Sequence, residues 1–172
     1  MNNPILRVFF DASALVKRYS SEPGTALLNE LFTLLPIEKM ACSMLGILEV
    51  ISILVRKRND RRLIASALYQ VLADFDAEIV ANQQFHKTSV HNALLISATA
   101  LIQKHNLNSA DTIILRSALN LQQALLQNNE ALLLWTSDKR LARAASAEGL
   151  RVFDPEIETL GTLHALFPPP TT

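Results

Sequence analysis

The sequence predicts an α/β fold with a central, mostly parallel sheet of about four to five strands, flanked by helices on both faces. Short apolar runs alternate with longer amphipathic segments, which is the pattern of strands joined by crossover helices. The chain is 49% apolar but only 6% aromatic, which indicates an aliphatic core. Because 172 residues is the length of one domain, we assign residues 1–167 to it and 168–172 to a proline-rich tail.

Five segments have the composition of strands. The runs ILRVFF and LLLWT are short, continuous and apolar, as strands buried on both faces are. The strands are predicted at residues 5–10, 38–43, 78–81, 132–136 and 151–153.

The segments between these strands have the apolar period of helices. In the segment 25–35, Leu27, Leu28 and Leu31 lie on one side, and Pro36 ends the helix. Gly149 is placed to end the last predicted helix. The helical segments are predicted at residues 13–19, 25–35, 44–58, 61–74, 84–104, 109–127 and 138–148.

Charge and composition limit the possible classes of function. Sixteen Lys and Arg residues balance sixteen Asp and Glu residues, so attraction to nucleic acid must come from local basic patches. The single cysteine, Cys42, excludes an internal disulfide and fits a reducing compartment. Apolar runs stay shorter than the ~18 residues of a membrane span. We therefore expect a cytoplasmic protein without a membrane segment.

Four carboxylates lie in positions where parallel sheets bind ligands, near the carboxyl ends of strands. Asp11 directly follows the first strand, Asp138 follows LLLWT, and Asp111 lies in the first turn of a helix. Helix capping or the helix dipole is an alternative explanation for each aspartate. Glu49 differs because it lies within the apolar helix MLGILEVISILV, where it caps nothing. Its alternatives are an ion pair with a nearby arginine and a solvent-facing position.

Together with their flanking sequences, these acids resemble the PIN-domain family, in particular the VapC-like toxin ribonucleases. FFDASALVKRYSSEPGT is similar to the family's opening, an apolar strand followed by Asp-x-Ser-x-Leu-Val-Lys and Glu-Pro-Gly. The later signatures are matched in order by ILEVISIL, SADTIILRSAL and LLLWTSDKRLARAASAEGLRVFDP. The resemblance covers nearly the whole chain except residues 74–108, and it has Asp111–Thr112 where the family usually has Asp-Ala.

The resemblance implies a metal-dependent endoribonuclease that is the toxin of a type II toxin–antitoxin system. Mg²⁺ or Mn²⁺ would be the cofactor, since both prefer oxygen ligands, and either ion activates water for phosphodiester hydrolysis. The four histidines lack metal-ligand spacing, which disfavours zinc. Ser13 and Thr136 would orient carboxylates, with capping as their alternative. The catalytic and metal-binding residues would be Asp11, Glu49, Asp111 and Asp138.

Basic side chains near the acids are candidates for contact with RNA phosphates, with a solvated helix face as the alternative. Arg140 and Arg143 belong to a second patch beside Asp138. VapC-like proteins are commonly homodimers neutralised by a small cognate antitoxin, so the resemblance implies both partners. The principal substrate-binding candidates are Lys17, Arg56, Arg58 and Lys139.

Two other functions stay open on the sequence. One is a catalytically weak PIN-like module that binds RNA or acts as a scaffold. The other is a phosphotransferase or phosphatase of another α/β class, with Asp11 as nucleophile. Haloacid-dehalogenase-like enzymes usually have a second Asp two residues further on, where this chain has Ser13. The pattern also leaves open whether the nucleic acid is RNA or DNA.

Overall fold

The computed structural model describes residues 4–170, and these contain one sheet of five parallel strands. The strands lie side by side in the order third, second, first, fourth, fifth. Consecutive strands therefore run outward from the first strand in both directions, and the order reverses between the first and the fourth. In chain order the strands are β1 (Ile5–Phe10), β2 (Met40–Ser43), β3 (His86–Thr88), β4 (Glu130–Trp135) and β5 (Arg151–Phe153).

Within residues 4–170, eight α-helices accompany this sheet. Two 3₁₀ turns, Val16–Arg18 and Ile37–Lys39, and a π-helical turn, Asp76–Val80, complete the regular structure of this part of the chain. None of the helices described is both long and apolar enough to cross a membrane. The helices are α1 (Ala12–Leu15), α2 (Thr25–Leu34), α3 (Met44–Asn59), α4 (Ala65–Phe75), α5 (Asn92–His105), α6 (Ser109–Leu126), α7 (Lys139–Ala147) and α8 (Leu160–Leu166).

The central strands are buried on both faces, which is why their sequences are continuous apolar runs. In β1, Phe10 belongs to the core on one face of the sheet and Phe9 to the core on the other. Side chains alternate in direction along a strand, so neighbouring residues supply the two cores. Burial of each such phenylalanine contributes roughly 1.5–3 kcal/mol to the free energy of unfolding. These two cores confirm the predicted parallel α/β architecture with helices on both faces.

Two predicted elements between α4 and α5 are wrong. Residues 78–81 are not a strand, because the π-helical turn Asp76–Val80 continues α4 and buries Ile79 in the core. Residues 84–104 are not one helix, because they contain the edge strand β3 and then α5. His91 begins α5, since its ring nitrogen accepts a hydrogen bond from the Leu94 amide. The short strand β3 lacks an apolar run and gave no signal.

The remaining boundaries differ slightly from the prediction. The second strand begins at Met40 because a 3₁₀ turn occupies the residues before it, and the fourth strand begins at Glu130. Helix α8 was not predicted; it packs Leu163 into the same core as Phe10. In the predicted tail, residues 168–170 have no regular structure, and 171–172 lie outside the described residues.

Gly24 holds the turn before α2 against the loop that follows β5. Its backbone is left-handed, with φ of 92°, and a Cβ there would lie 2.7 Å from the Pro155 carbonyl oxygen. Gly149 has a similar φ of 84°, but no atom lies within 4 Å of the corresponding Cβ position. Comparing the same substitution at the two glycines therefore distinguishes the cost of the left-handed backbone from the cost of the contact with Pro155.

Gly24→Ala is expected to lower the free energy of unfolding by about 2 kcal/mol or more. The left-handed conformation costs alanine about 1–2 kcal/mol, and the contact with Pro155 adds to that cost. Gly149→Ala is the matched control and should show only the conformational cost. Denaturant unfolding followed by the fluorescence of Trp135, the single, fully buried tryptophan, measures both. Equal losses would show that the Pro155 contact has no influence.

Candidate metal centre

The four predicted carboxylates come from four elements and form one electrostatic cluster. Asp11 follows β1 and is the N-cap of α1, whereas Glu49 lies in the second turn of α3. Asp111 lies in the first turn of α6, and Asp138 is the N-cap of α7. The negative charges of Asp11 and Asp111 raise the pKa of Glu49, and those of Asp138 and Asp11 raise the pKa of Asp111. The fold therefore places the four acids close enough to influence the pKa of one another.

Asp11 is the most rigidly held of the four. It is buried, with only 5% of its surface exposed. Its Oδ2 accepts hydrogen bonds from the Ser13 amide at 3.2 Å, the Ser13 hydroxyl at 2.5 Å and the Thr136 hydroxyl at 3.0 Å. Burial raises the pKa of Asp11, against the opposing effect of these donors. Because all three bonds reach Oδ2, the other oxygen is available to a cation.

Ser13, in α1, and Thr136, directly after β4, connect the segments that follow β1 and β4. Thr136 is fully buried, and its Oγ1 accepts a hydrogen bond from the Asp138 amide at 3.1 Å while donating to Asp11. The Ser13 Oγ accepts from the Ser137 amide at 3.0 Å while donating to Asp11. These are the contacts that the predicted orienting role requires, and the role itself stays a prediction.

Glu49 has an unsatisfied carboxylate oxygen. Its Oε2 is buried and has no hydrogen-bond partner among the described residues. Burial, followed by the charges of Asp11 and Asp111, raises the pKa of Glu49 from its ordinary 4.5 to about 7, and Arg56 offsets only part of this. Within residues 4–170, Glu49 makes no ion pair, so the ion-pair alternative is not observed. A buried, unpartnered carboxylate oxygen next to two further acids fits a cation.

Asp111 and Asp138 occupy helix starts but retain unused oxygens. Burial, then Asp138 and Asp11, raise the pKa of Asp111 to about 6, and its Oδ2 accepts a hydrogen bond from the Asn108 side chain at 2.8 Å. Asp138 Oδ1 accepts from the Arg140 amide at 2.7 Å and the Leu141 amide at 2.9 Å. Asp138 therefore does cap α7, but capping uses only Oδ1 and leaves Oδ2 for a second function.

Asn108 is a site residue that the sequence analysis missed. Its side-chain oxygen accepts a hydrogen bond from the Asp111 amide at 2.8 Å, so the two residues bond reciprocally. The signal was present, because a polar N-cap three residues before an acid is the spacing of a capping box. Asn108 therefore fixes both the start of α6 and the position of the Asp111 carboxylate.

The acids suit a hydrated cation better than a tightly enclosed one. In the described part of the chain, no three His, Cys, Asp or Glu side chains form a group compact enough to hold a metal ion. Mg²⁺ usually keeps several of its waters and takes only one or two carboxylates directly, so the remaining acids act through water. Mutual repulsion also separates carboxylates that no cation bridges. The donor set, oxygen only and rich in carboxylate, fits Mg²⁺ or Mn²⁺.

The predicted substrate-binding cations differ in exposure. The prediction that Lys17 is free to contact phosphate is wrong in this geometry. The Lys17 side chain is 3% exposed, and its Nζ lies 2.5 Å from Glu156 Oε1. The reason is that the turn Val16–Arg18 directs this side chain inward, toward the loop after β5. Arg56, Arg58 and Lys139 are exposed, and their contact with RNA stays a prediction.

Thr136→Val is expected to weaken metal binding and any metal-dependent activity by roughly 10- to 100-fold, the usual cost of losing a residue that orients a ligand. The valine keeps the volume but removes one donor to Asp11 and the acceptor of the Asp138 amide. Thr136→Ser is the matched control, since it retains the hydroxyl and should behave nearly as wild type. Titration with Mn²⁺ measures the effect, and equal affinities for the two variants would contradict the orienting role.

The fold and the site together define an α/β protein with an acidic centre at the carboxyl edge of a parallel sheet. The sequence matches the model of the PIN domain over residues 8–147, so the chain belongs to the PIN domain family. This confirms the family resemblance. No curated protein matches the sequence.

Solved structures share the fold over nearly their whole length. PAE2754 from Pyrobaculum aerophilum is 19% identical, with a TM-score of 0.54, and the match covers 94% of this chain and 95% of that one. FitAcB from Neisseria gonorrhoeae is 16% identical, with a TM-score of 0.58 and coverage of 88% and 99%. A toxin–antitoxin complex from Klebsiella pneumoniae is 20% identical, with a TM-score of 0.55 and coverage of 86% and 97%. At these identities the likeness concerns the fold.

Proposed function

We propose that this protein is an endoribonuclease that depends on Mg²⁺ or Mn²⁺ and hydrolyses RNA phosphodiester bonds. The observation that carries the proposal is the buried, unpartnered Oε2 of Glu49 within the cluster of four acids. When bound, the divalent ion supplies Lewis acidity and lowers the pKa of a coordinated water. Membership of the PIN domain family supports the same activity.

The residues at this centre have separate proposed roles. Asp11, Glu49 and Asp111 would hold the ion, and Asp138 would hold a second ion or a bound water. Three hydrogen bonds from Ser13 and Thr136 keep Asp11 in one orientation. Glu49, Asp111 and Asp138 are only partly buried, so a phosphodiester can approach the centre from the solvent side.

We also propose that the protein is the toxin of a type II toxin–antitoxin system, acts in the cytoplasm, forms a homodimer and binds a small antitoxin. The structural similarity to a toxin–antitoxin complex supports the antitoxin. Exposed apolar side chains on α3 and on α5 are candidates for contact with a second copy or with the antitoxin. They are Met44, Leu48, Leu95 and Ile96.

One observation favours the alternative of a catalytically weak RNA-binding or scaffold module. Among residues 4–170, no three acids are gathered closely enough to hold an ion before one binds. That alternative predicts metal-independent RNA binding without cleavage.

The test is incubation of total RNA with the purified protein in Mg²⁺, Mn²⁺ or EDTA, beside Asp11→Asn. Discrete fragments that require metal and disappear in Asp11→Asn support the nuclease. The matched control is Asp76→Asn, an exposed acid in the π-helical turn, which should cleave as wild type. Metal-independent binding without fragments would favour the module, and a parallel incubation with single-stranded DNA decides between RNA and DNA.

A further inference from the structure

An open, cationic pocket lies beside Asp138, between the C-terminal end of α5 and the exposed face of α7. Its volume is about 440 Å³. Three of its residues are cations that come from two separate helices, and two alanines of α7 contribute small side chains. The pocket is lined by Lys104, His105, Asn106, Arg140, Arg143, Ala144 and Ala147.

The helix spacing of α7 forms one wall of this pocket. Arg140 and Arg143 are three residues apart, so they lie on the same side of the helix. Ala144 and Ala147 continue that side, four and seven residues after Arg140, and leave space beneath the two guanidinium groups. Both arginines are exposed, and the pocket is therefore reached directly from solvent.

The opposite wall is fixed by the end of α5. Asn106 has a left-handed backbone, with φ of 51°, and ends the helix. Its carbonyl oxygen accepts a hydrogen bond from Arg140 Nη2 at 2.6 Å, which anchors that guanidinium across the pocket. Lys104 and His105 both reach Glu148 Oε1, at 2.8 Å and 2.5 Å. Lys104 and His105 are thus held in place at this wall by a single carboxylate.

Positive charge exceeds negative charge in this pocket. Three permanent cations, Lys104, Arg140 and Arg143, line the pocket, and its lining contains no carboxylate. Glu148 pairs with Lys104 from outside this lining, and Arg140 also lies near enough to Asp111 to lower its pKa. In the part of the chain that the structure describes, Arg143 has no ion-pair partner. A free guanidinium beside an anchored one suits a phosphate group, which accepts hydrogen bonds from both.

We propose that this pocket binds a backbone phosphate of the RNA strand whose scissile bond lies at the acidic centre. The inference rests on the proposed function and specifies how the substrate is positioned. Asp138 caps α7 just before Arg140, so the pocket and the acids are adjacent on one surface. Under the proposed function an RNA strand must reach the acids to be cleaved, and this requirement favours RNA over an acidic protein segment as the occupant. Arg143 and Lys104 would therefore bind the substrate at a phosphate away from the scissile bond.

The test compares Arg143→Gln with Arg151→Gln in the full chain. Arg151 is also exposed but lies at the start of β5, at the opposite edge of the sheet, so the charge change is matched. Affinity for a labelled single-stranded RNA is measured by fluorescence anisotropy in EDTA, across about 50–200 mM salt. Arg143→Gln should bind roughly tenfold more weakly, and its plot of log K against log salt should lose about 0.7 of slope. Arg151→Gln should match wild type.

In cleavage assays Arg143→Gln should raise KM and leave kcat unchanged, and any rise in Tm that Mn²⁺ produces in wild type should also be seen in this variant. If Arg143→Gln still cleaves RNA and its salt slope equals that of wild type, the pocket does not bind phosphate. The proposed nuclease activity would be unaffected by that result. Absence of RNA binding and cleavage in the wild type would overturn both. If polyglutamate binding were lost in Arg143→Gln while RNA binding were not, the pocket would take an acidic protein segment, which also overturns the inference.

Discussion

Glu49→Gln is expected to reduce metal-dependent RNA cleavage by roughly 100-fold or more. A bound metal contributes several kcal/mol of stabilisation to the transition state, and each 1.4 kcal/mol corresponds to a factor of ten in rate. The substitution keeps the shape of the side chain and removes only the charge, so the fold of α3 should persist. Initial rates of cleavage of a defined RNA in Mg²⁺ or Mn²⁺ measure the effect.

The same substitution should make the metal-free protein more stable near pH 8. At that pH wild-type Glu49 is ionised, with its Oε2 buried and unpartnered beside Asp11 and Asp111, and the glutamine carries no charge to be repelled. Glu38→Gln is the control, because Glu38 is exposed at the opposite edge of the sheet. It should alter neither cleavage nor stability. A Glu49→Gln protein that cleaves at the wild-type rate would exclude Glu49 from the metal centre.

Metal-free protein is expected to lose stability as the pH rises from about 4 to about 7. The folded state raises the pKa of Glu49 from 4.5 to about 7 and that of Asp111 from 3.8 to about 6, first through burial and then through the charges of neighbouring aspartates. Between the unfolded and folded pKa values the folded chain binds more protons, so the free energy of unfolding falls with pH. Well above pH 7 both acids are ionised in both states, and their contribution stays at its lowest.

A divalent ion should reverse this loss. The ion binds the ionised acids of the folded chain, and an excess of about 100 times its Kd adds about 2.7 kcal/mol. Thermal unfolding at pH 5 and pH 8, with Mn²⁺ or with EDTA, measures both effects. The double variant Glu49→Gln/Asp111→Asn should show a flatter pH dependence and little response to metal. A double variant with the pH and metal responses of wild type would contradict a shared site.

The sequence was sufficient to predict four of the five strands of the central sheet and the elements that carry the acids. β1 and β4 are buried on both faces, so each is a continuous apolar run, and the acids follow where those runs end. Glu49 stood out because a carboxylate within an apolar helix has few structural explanations, and the structure leaves its Oε2 without a partner. Local sequence carried these features because burial and strand ends are local properties.

Other features depended on tertiary contacts that no local pattern contains. The run Glu78–Ala81 is apolar enough for a strand, yet Ile79 lies in a π-helical turn and is buried in the core from there. Lys17 looks like an exposed helix cation, but its partner Glu156 is distant in the chain. The cationic pocket joins Lys104 to Arg143 through the packing of α5 near α7. In each case the partner is remote in sequence, and only the folded chain brings it near.

The most direct test of the metal centre is a calorimetric titration of the purified protein with Mn²⁺ at pH 8. Wild type and Glu38→Gln are expected to bind with the same affinity. Glu49→Gln and Asp111→Asn should each bind at least about tenfold more weakly, because each removes one charged oxygen donor from the cluster. Equal affinities in all four proteins, or no binding by wild type, would contradict the proposal that these carboxylates form one metal site.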